Sequence, residues 1–229
     1  MQRAISLLAG LAIAIAGLLP AAQAAEIETV YVVTYFEVSP AAQSKTAAMM
    51  KQLAEKSRSD GGNLRFEVLQ RIGQGDQFAM LEAWRGQEAF AAHAAESHTR
   101  QFREKLTGML RSAYDERPHT ALEVGEVKAM AGKDAVFAVT HVDIVPKEKD
   151  IGVALTKDLA VAGRKAKGNV RFEALTQNSR PNHMTVVEIW SDRRSMSAHS
   201  TAPHMKQYRE KLLPMSGSLY DERLYKALN

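Results

Sequence analysis

Residues 30–38, VYVVTYFEV, are rich in β-branched and aromatic side chains and stop at Ser39-Pro40. That pattern predicts a strand running into a helix with proline in its first turn. Over residues 41–58, Met50, Leu53 and Ala54 recur at helical spacing until Asp60-Gly61-Gly62 ends the helix. Residues 64–72 alternate apolar and polar, Gly73-Gln74-Gly75-Asp76 supplies a hairpin turn, and residues 78–84 return as a strand. Helical stretches at 87–95 and 99–111 and an extended stretch at 119–127 complete the unit.

The same order then recurs, with strands expected at 134–145, 169–177, 183–190 and 219–227 and helices at 147–165, 193–199 and 203–214. Shifting the chain by 106 positions lays Gly62-Asn63-Leu64-Arg65-Phe66-Glu67 on Gly168-Asn169-Val170-Arg171-Phe172-Glu173. The shift also matches Trp84 with Trp190, His93 with His199, His98 with His204, and Tyr114-Asp115-Glu116-Arg117 with Tyr220-Asp221-Glu222-Arg223. No insertion interrupts the match between residues 33 and 122, so the repeated object is a domain.

Each copy reads β-α-β-β-α-β, an α+β ferredoxin-like unit whose antiparallel sheet carries helices on one face. A lone unit leaves its other sheet face uncovered. Two tandem ferredoxin-like domains can press those faces together as an intramolecular pseudo-dimer with a barrel-like core. The expected divisions are 1–24, 25–128 and 133–229, with a short connection at 127–133 that implies docked halves.

Composition changes the picture mainly at the start of the chain. A basic Met1-Gln2-Arg3 precedes an apolar run over residues 4–19, Pro20 ends it, and Ala22-Gln23-Ala24 has the small-x-small form of a signal-peptidase site. The run is shorter than the ~18 to 20 apolar residues that span a bilayer. Cleavage after Ala24, a periplasmic or secreted location and no membrane anchor in the mature chain are therefore expected. The chain has no cysteine, so disulfides, thiolate ligands and a thiol nucleophile are excluded. A formal charge of +4, with both signs interspersed and no basic stripe carrying aromatics, argues against nucleic-acid binding. Gly73-Gln74-Gly75 is a hairpin turn and not a nucleotide fingerprint.

Period two places Phe78, Met80, Glu82 and Trp84 on one strand face, and Met184, Val186, Glu188 and Trp190 on the equivalent face. A carboxylate among apolar neighbours is a candidate proton acceptor with a raised pKa; the alternative is a carboxylate satisfied by an arginine or a backbone N–H. Trp84 and Trp190 are core anchors or flat walls for an aromatic ligand. His93 and His199 are candidate general bases or ordinary helix-face histidines. His98 and His204 lie five residues further on; Thr201 and Pro203 give His204 a first-turn position, and the two histidines are structural groups or reach a substrate. A metal site from these pairs would need a bend to bring them together, and neither spacing is a ligand motif. The repeated Tyr-Asp-Glu-Arg is expected between the last helix and the last strand of each copy, its charges holding the halves in register or, as the alternative, binding an acidic ligand.

The stretch EIWSDRRSMSAHSTAPHMKQYREKL in the second half, with E-x-W, a histidine nine residues beyond the tryptophan, and T-x-P-H, resembles the antibiotic biosynthesis monooxygenase family. Within that family the likeness is greatest to the bacterial quinol monooxygenases, and it covers both halves. The resemblance implies the dimeric α/β-barrel fold, formed here within one chain, with further homo-oligomers open. It implies no flavin and no metal: a quinol or similar small aromatic would itself deliver electrons to O2, with His93 or His199 as base and Glu82 or Glu188 assisting. The alternative is a non-catalytic binding module for a hydrophobic or aromatic small molecule or haem. Haem-degrading relatives need an asparagine on the first strand, which TVYVVTYF and AVFAVTHV lack, and their catalytic tryptophan falls where His93 and His199 stand.

Overall fold

The structure, a computed structural model, describes residues 28–126 and 131–228. The expected leader at 1–24 and most of the connection at 127–133 lie outside them. The first half runs β1 (Thr29–Glu37), α1 (Gln43–Ser57), β2 (Asn63–Arg71), β3 (Gln77–Arg85), α2 (Gly86–Ala95), α3 (Ser97–Thr107) and β4 (Asp115–Glu123). The second runs β5 (Val136–Asp143), α4 (Lys149–Gly163), β6 (Asn169–Gln177), β7 (His183–Trp190), α5 (Arg193–Ser200), α6 (Pro203–Leu212) and β8 (Asp221–Ala227). Pro40 and Pro146 each open a short 3₁₀ turn ahead of α1 and α4. Their missing N–H costs nothing at a helix start. Among the described residues no helix is long and apolar enough to cross a membrane.

The eight strands close into one barrel in the order β1-β3-β2-β8-β5-β7-β6-β4. The last strand of each half makes the closure. β4 pairs with β1 of its own half and with β6 of the other, from His119↔Gln177 onward. β8 pairs likewise with β5 and with β2, through Leu69↔Ala227 and Arg71↔Tyr225. Both sheets are thus covered twice, by helices outside and by each other inside. This is why strands such as TVYVVTYFE are buried on both faces.

Three apolar clusters follow from that layering. Val32, Phe36, Phe66, Met80 and Trp84 pack under the helices of the first half, and Val142, Phe172, Met184, Val186 and Trp190 under those of the second. Val33, Tyr35, Leu69, Leu81, Phe137, Val139, Leu175 and Tyr225 fill the barrel between the sheets. Beside the last cluster lies a doubled ion pair. Arg65 grips Glu173 through two bonds of 2.9 Å, and Arg171 grips Glu67 at 3.0 and 2.5 Å.

Two expectations need correction. The last strand of the first half starts at Asp115, four residues before the expected 119. Pro118 stands inside β4 because the ladder to β6 begins only at His119 and leaves the proline with β1 alone as a strand partner. The repeated Tyr-Asp-Glu-Arg therefore lies mostly on the strand, and its ion pairs stay within each half: Asp115 with Arg117, Asp221 with Arg223, Arg103 with Glu116 and Arg209 with Glu222. Register between the halves is held instead by the Arg65–Glu173 and Arg171–Glu67 pairs. The repeated segment does contribute one shared contact, since Arg117 and Arg223 lie over Tyr35 at 5.2 and 5.4 Å.

Candidate functional site

In the first half the site forms where β3, the α1–β2 turn and the break between α2 and α3 meet. Gly62 adopts φ +78°, a conformation natural to glycine, and a Cβ there would come within 2.5 Å of the Ala89 Cβ. This tight turn sets Asp60 against the end of α2. The helices are separated by Glu96 alone, whose extended backbone (ψ 145°) starts α3 and turns His98 back toward His93. A continuous helix would have kept the two histidines apart.

Glu82 and Trp84 point into the helix-covered side of the sheet, as period two predicts, and both are buried. The Trp84 indole N–H donates to Glu82 Oε2 at 2.9 Å. His93 stacks on the same indole with ring centroids 4.4 Å apart, and its Nε2 lies 4.0 Å from Glu82 Oε2. Its other nitrogen, Nδ1, lies 2.7 Å from Asp60 Oδ2, and His98 Nε2 reaches the same oxygen at 3.1 Å. Thr99 Oγ1 stands 3.4 Å from the His93 ring nitrogens. Trp84 is 0% exposed, with one ring face taken by His93 and Phe66 edge-on at 6.3 Å, so it serves here as a packed anchor that orients a carboxyl and an imidazole.

The second half repeats the frame. Trp190 donates to Glu188 Oε2 at 2.9 Å and stacks on His199 at 4.5 Å. His199 Nε2 lies 3.4 Å from Glu188 Oε2. The surroundings differ: Asp60 has Ala166 as its counterpart, and Thr99 has Met205. His204 Nε2 then approaches His199 Nδ1 directly at 3.2 Å. Among the described residues, His199 Nε2 and Glu188 Oε1 are buried without a hydrogen-bond partner.

Burial governs the protonation of both sites. Desolvation pushes Glu82 up to about 8, against the pull of the Trp84 hydrogen bond, and Glu188 likewise to about 8 against that of Trp190. It pushes His199 down to about 4, with His204 and Arg209 adding to the effect. His93 is also lowered by burial, but the Asp60 hydrogen bond and charge pull it back. Near neutrality each site therefore holds a protonated carboxyl beside a neutral imidazole, which retains a lone pair able to take a proton.

The structure thus brings together, in each half, all four residues singled out from the sequence. Asp60 was missed, because Asp60-Gly61-Gly62 was read only as a helix stop. The shift of 106 contained the signal, since Asp60 facing Ala166 is a polar mismatch two residues before the repeated hexapeptide. Asp60, His93 and His98 form the group whose ligand-type atoms all lie within 4.8 Å of one another among the described residues.

A family model described as antibiotic biosynthesis monooxygenase matches residues 29–105 and again 135–211. The Bacillus subtilis (strain 168) protein named "Putative monooxygenase YcnE" is 26% identical over 81 residues, 35% of this chain and 85% of that protein. A Fusobacterium nucleatum structure titled "Putative monooxygenase" superimposes with a TM-score of 0.80 at 14% identity, covering 88% of this chain and 93% of that one. One from Lactobacillus acidophilus with the same description gives 0.73 at 16% identity, covering 88% and 95%. At such identity these two show a shared fold, and in both the match runs across the two halves. By the doubled family match, which takes in most of the chain, this protein belongs to the antibiotic biosynthesis monooxygenase family, with two tandem copies closed into a single α/β-barrel.

Proposed function

We propose that this chain is an exported, cofactor-independent monooxygenase that oxidises a quinol or a similar small aromatic with O2. The observation that carries the reading is the Glu188–His199 pair. Both side chains are buried, they stand 3.4 Å apart, and among the described residues Glu188 Oε1 and His199 Nε2 find no hydrogen-bond partner. An orphaned buried polar atom costs about 1–3 kcal/mol. A substrate hydroxyl would satisfy both.

In this reading the neutral imidazole of His199, or of His93, takes the proton of a hydroquinone. The resulting phenolate reduces O2 more readily than the phenol does. One oxygen atom enters the ring, the other leaves as water, and the substrate supplies the electrons. Glu82 and Glu188 assist by exchanging a proton with the imidazole, Trp84 and Trp190 hold both groups in place, and the helices exclude water. His98 and His204 stand at the outer edge of the imidazoles, where an arriving ring would meet them. In the first half, Leu53, His98 and Phe102 line a cleft of about 60 Å³.

Oxygen uptake with a panel of hydroquinones, compared between the native chain and His93→Ala/His199→Ala, tests the reading. Uptake that the double variant loses supports it. No uptake with any reduced substrate, together with ligand binding that the double variant retains, replaces it with the alternative of a binding module for a hydrophobic or aromatic guest or haem. That alternative finds no open ring face at Trp84 or Trp190. Export belongs to the same proposal, and sequencing the N-terminus of the protein recovered from outside the cytoplasm would test cleavage after Ala24.

A further inference from the structure

We propose that Asp60, His93 and His98 form a site for a divalent transition metal ion of the zinc class, present in the first half of the chain and absent from the second. The donors are the Asp60 carboxylate, His93 Nδ1 and His98 Nε2. Asp60 Oδ2 lies 2.7 Å from the first nitrogen and 3.1 Å from the second, and the three ligand atoms fall within 4.8 Å of one another. Ligands bound at ~2.0–2.2 Å in a tetrahedral shell sit about 3.3–3.5 Å apart, so small rotations of the side chains would open the cluster around an ion. Two imidazoles and one carboxylate suit zinc and its first-row neighbours, whereas magnesium and calcium prefer oxygen alone.

The cluster is also built as metal sites are. Its ligands come from three different segments: the α1–β2 turn, the last turn of α2 and the first turn of α3. Asp60 and His98 border an open depression with Ser59, Gly61 and Glu96, which gives an ion a way in and leaves room for water as a further ligand. His93 stands deeper, stacked on Trp84. When Nδ1 binds an ion, the ring proton must sit on Nε2, and that edge faces the Glu82 carboxyl 4.0 Å away. A carboxyl behind a ligating imidazole is the usual device for fixing its tautomer.

The repeat supplies an internal control. His199 and His204 are placed much as His93 and His98 are, but Ala166 removes the carboxylate, and the two rings contact each other at 3.2 Å with nothing between them to hold a cation. Occupation would also have a consequence for proton transfer. With its proton fixed on Nε2 and its Nδ1 lone pair on the ion, His93 could no longer accept a proton, and His199 would be the imidazole left to do so.

Titrating the metal-free full chain with Zn2+ by calorimetry, and with Co2+ by visible absorption, tests the site without reference to turnover, so its failure is separate from that of the monooxygenase reading. One ion per chain is expected, with affinity falling at least about ten-fold in Asp60→Asn and in His98→Ala and unchanged in His204→Ala. Asp60→Asn preserves size and a hydrogen-bond acceptor, and circular dichroism checks that it folds. Native affinity in Asp60→Asn, loss of binding in His204→Ala, or the absence of stoichiometric uptake by the native chain would each overturn the proposal.

Discussion

Arg65 and Glu173, 108 positions apart in sequence, meet through a two-bonded pair at 2.9 Å, and the duplication builds its mirror between Arg171 and Glu67. Arg171 also approaches Glu173 at 3.3 Å, which links the pairs into one network across the halves. Arg171 and Glu173 are almost wholly buried. Without Arg171, Glu173 keeps its two bonds to Arg65, while Glu67 is left with only the 3.7 Å approach of Arg65 Nε. Arg171→Met should cost about 3 kcal/mol in urea-induced unfolding, and Arg171→Met/Glu67→Met should recover part of it. Equal stability of native and single-variant chains would refute this role.

Stability should peak in mildly acidic solution. His119, His141 and His199 have folded-state values of about 4, set first by desolvation, so the unfolded chain binds more protons below the ordinary 6.5. Stability is therefore complete above about 6.5 with respect to these groups and falls as pH drops toward 4. Glu82 and Glu188 act oppositely: raised from 4.5 to about 8, they hold protons in the folded state that the unfolded chain has released. Their contribution is present below 4.5 and is lost as pH rises toward 8, at a limiting slope of about 1.4 kcal/mol per pH unit for each carboxyl. Glu188→Gln should flatten the loss between pH 6.5 and 8 in thermal melts; an unchanged slope would contradict the assignment.

Trp84→Phe keeps the ring beneath His93 but removes the N–H that donates to Glu82 at 2.9 Å. Loss of a buried donor should cost about 1–3 kcal/mol, beyond which the smaller ring loosens its packing. Thermal unfolding checks the size of the effect. A shift of the Glu82 titration further upward, followed by carbon-13 resonance of the carboxyl, checks its cause.

Gly62→Ala puts a side chain on a backbone at φ +78° and drives it against Ala89. A loss of about 1–3 kcal/mol is expected. Native-like melting of this variant would show that the turn carrying Asp60 tolerates another path.

If the halves work independently, His93→Ala and His199→Ala should each leave partial oxygen uptake, and their losses should add, since distant sites without shared partners behave additively. Complete loss in one single variant would assign the chemistry to that half.

Much of the architecture was legible because the chain repeats itself. Any pattern too weak to trust in one copy, such as the strand over residues 78–84, gains support from the equivalent 183–190, and period two was enough to place Glu82 and Trp84 on the same face. The start of β4 was not legible, because a proline such as Pro118 is tolerated inside a strand only where a neighbour is missing, and that depends on pairing the chain does not write locally. The Arg65–Glu173 pair was out of reach for a related reason. Alternation puts Arg65, Glu67 and Leu69 on one face, but which strand of the other half lies opposite is settled only when the barrel closes. The expected helix start at residue 99 leaves His98 just outside, whereas α3 begins at Ser97, and the approach of His98 to His93 depends on the extended backbone of Glu96. Asp60 looked like punctuation, and its function emerges from the neighbours that the turn at Gly62 supplies.

The covalent joining of the halves has an effect beyond covering two sheets. In a barrel assembled from identical subunits, any change in one pocket is copied into the other, so a substitution useful to one must be tolerable in both. Here Asp60 and Ala166, or Thr99 and Met205, occupy equivalent places and have parted company while the barrel between them stays shared. Tandem duplication has released the two pockets from that constraint, so a substitution in one need not be tolerable in the other.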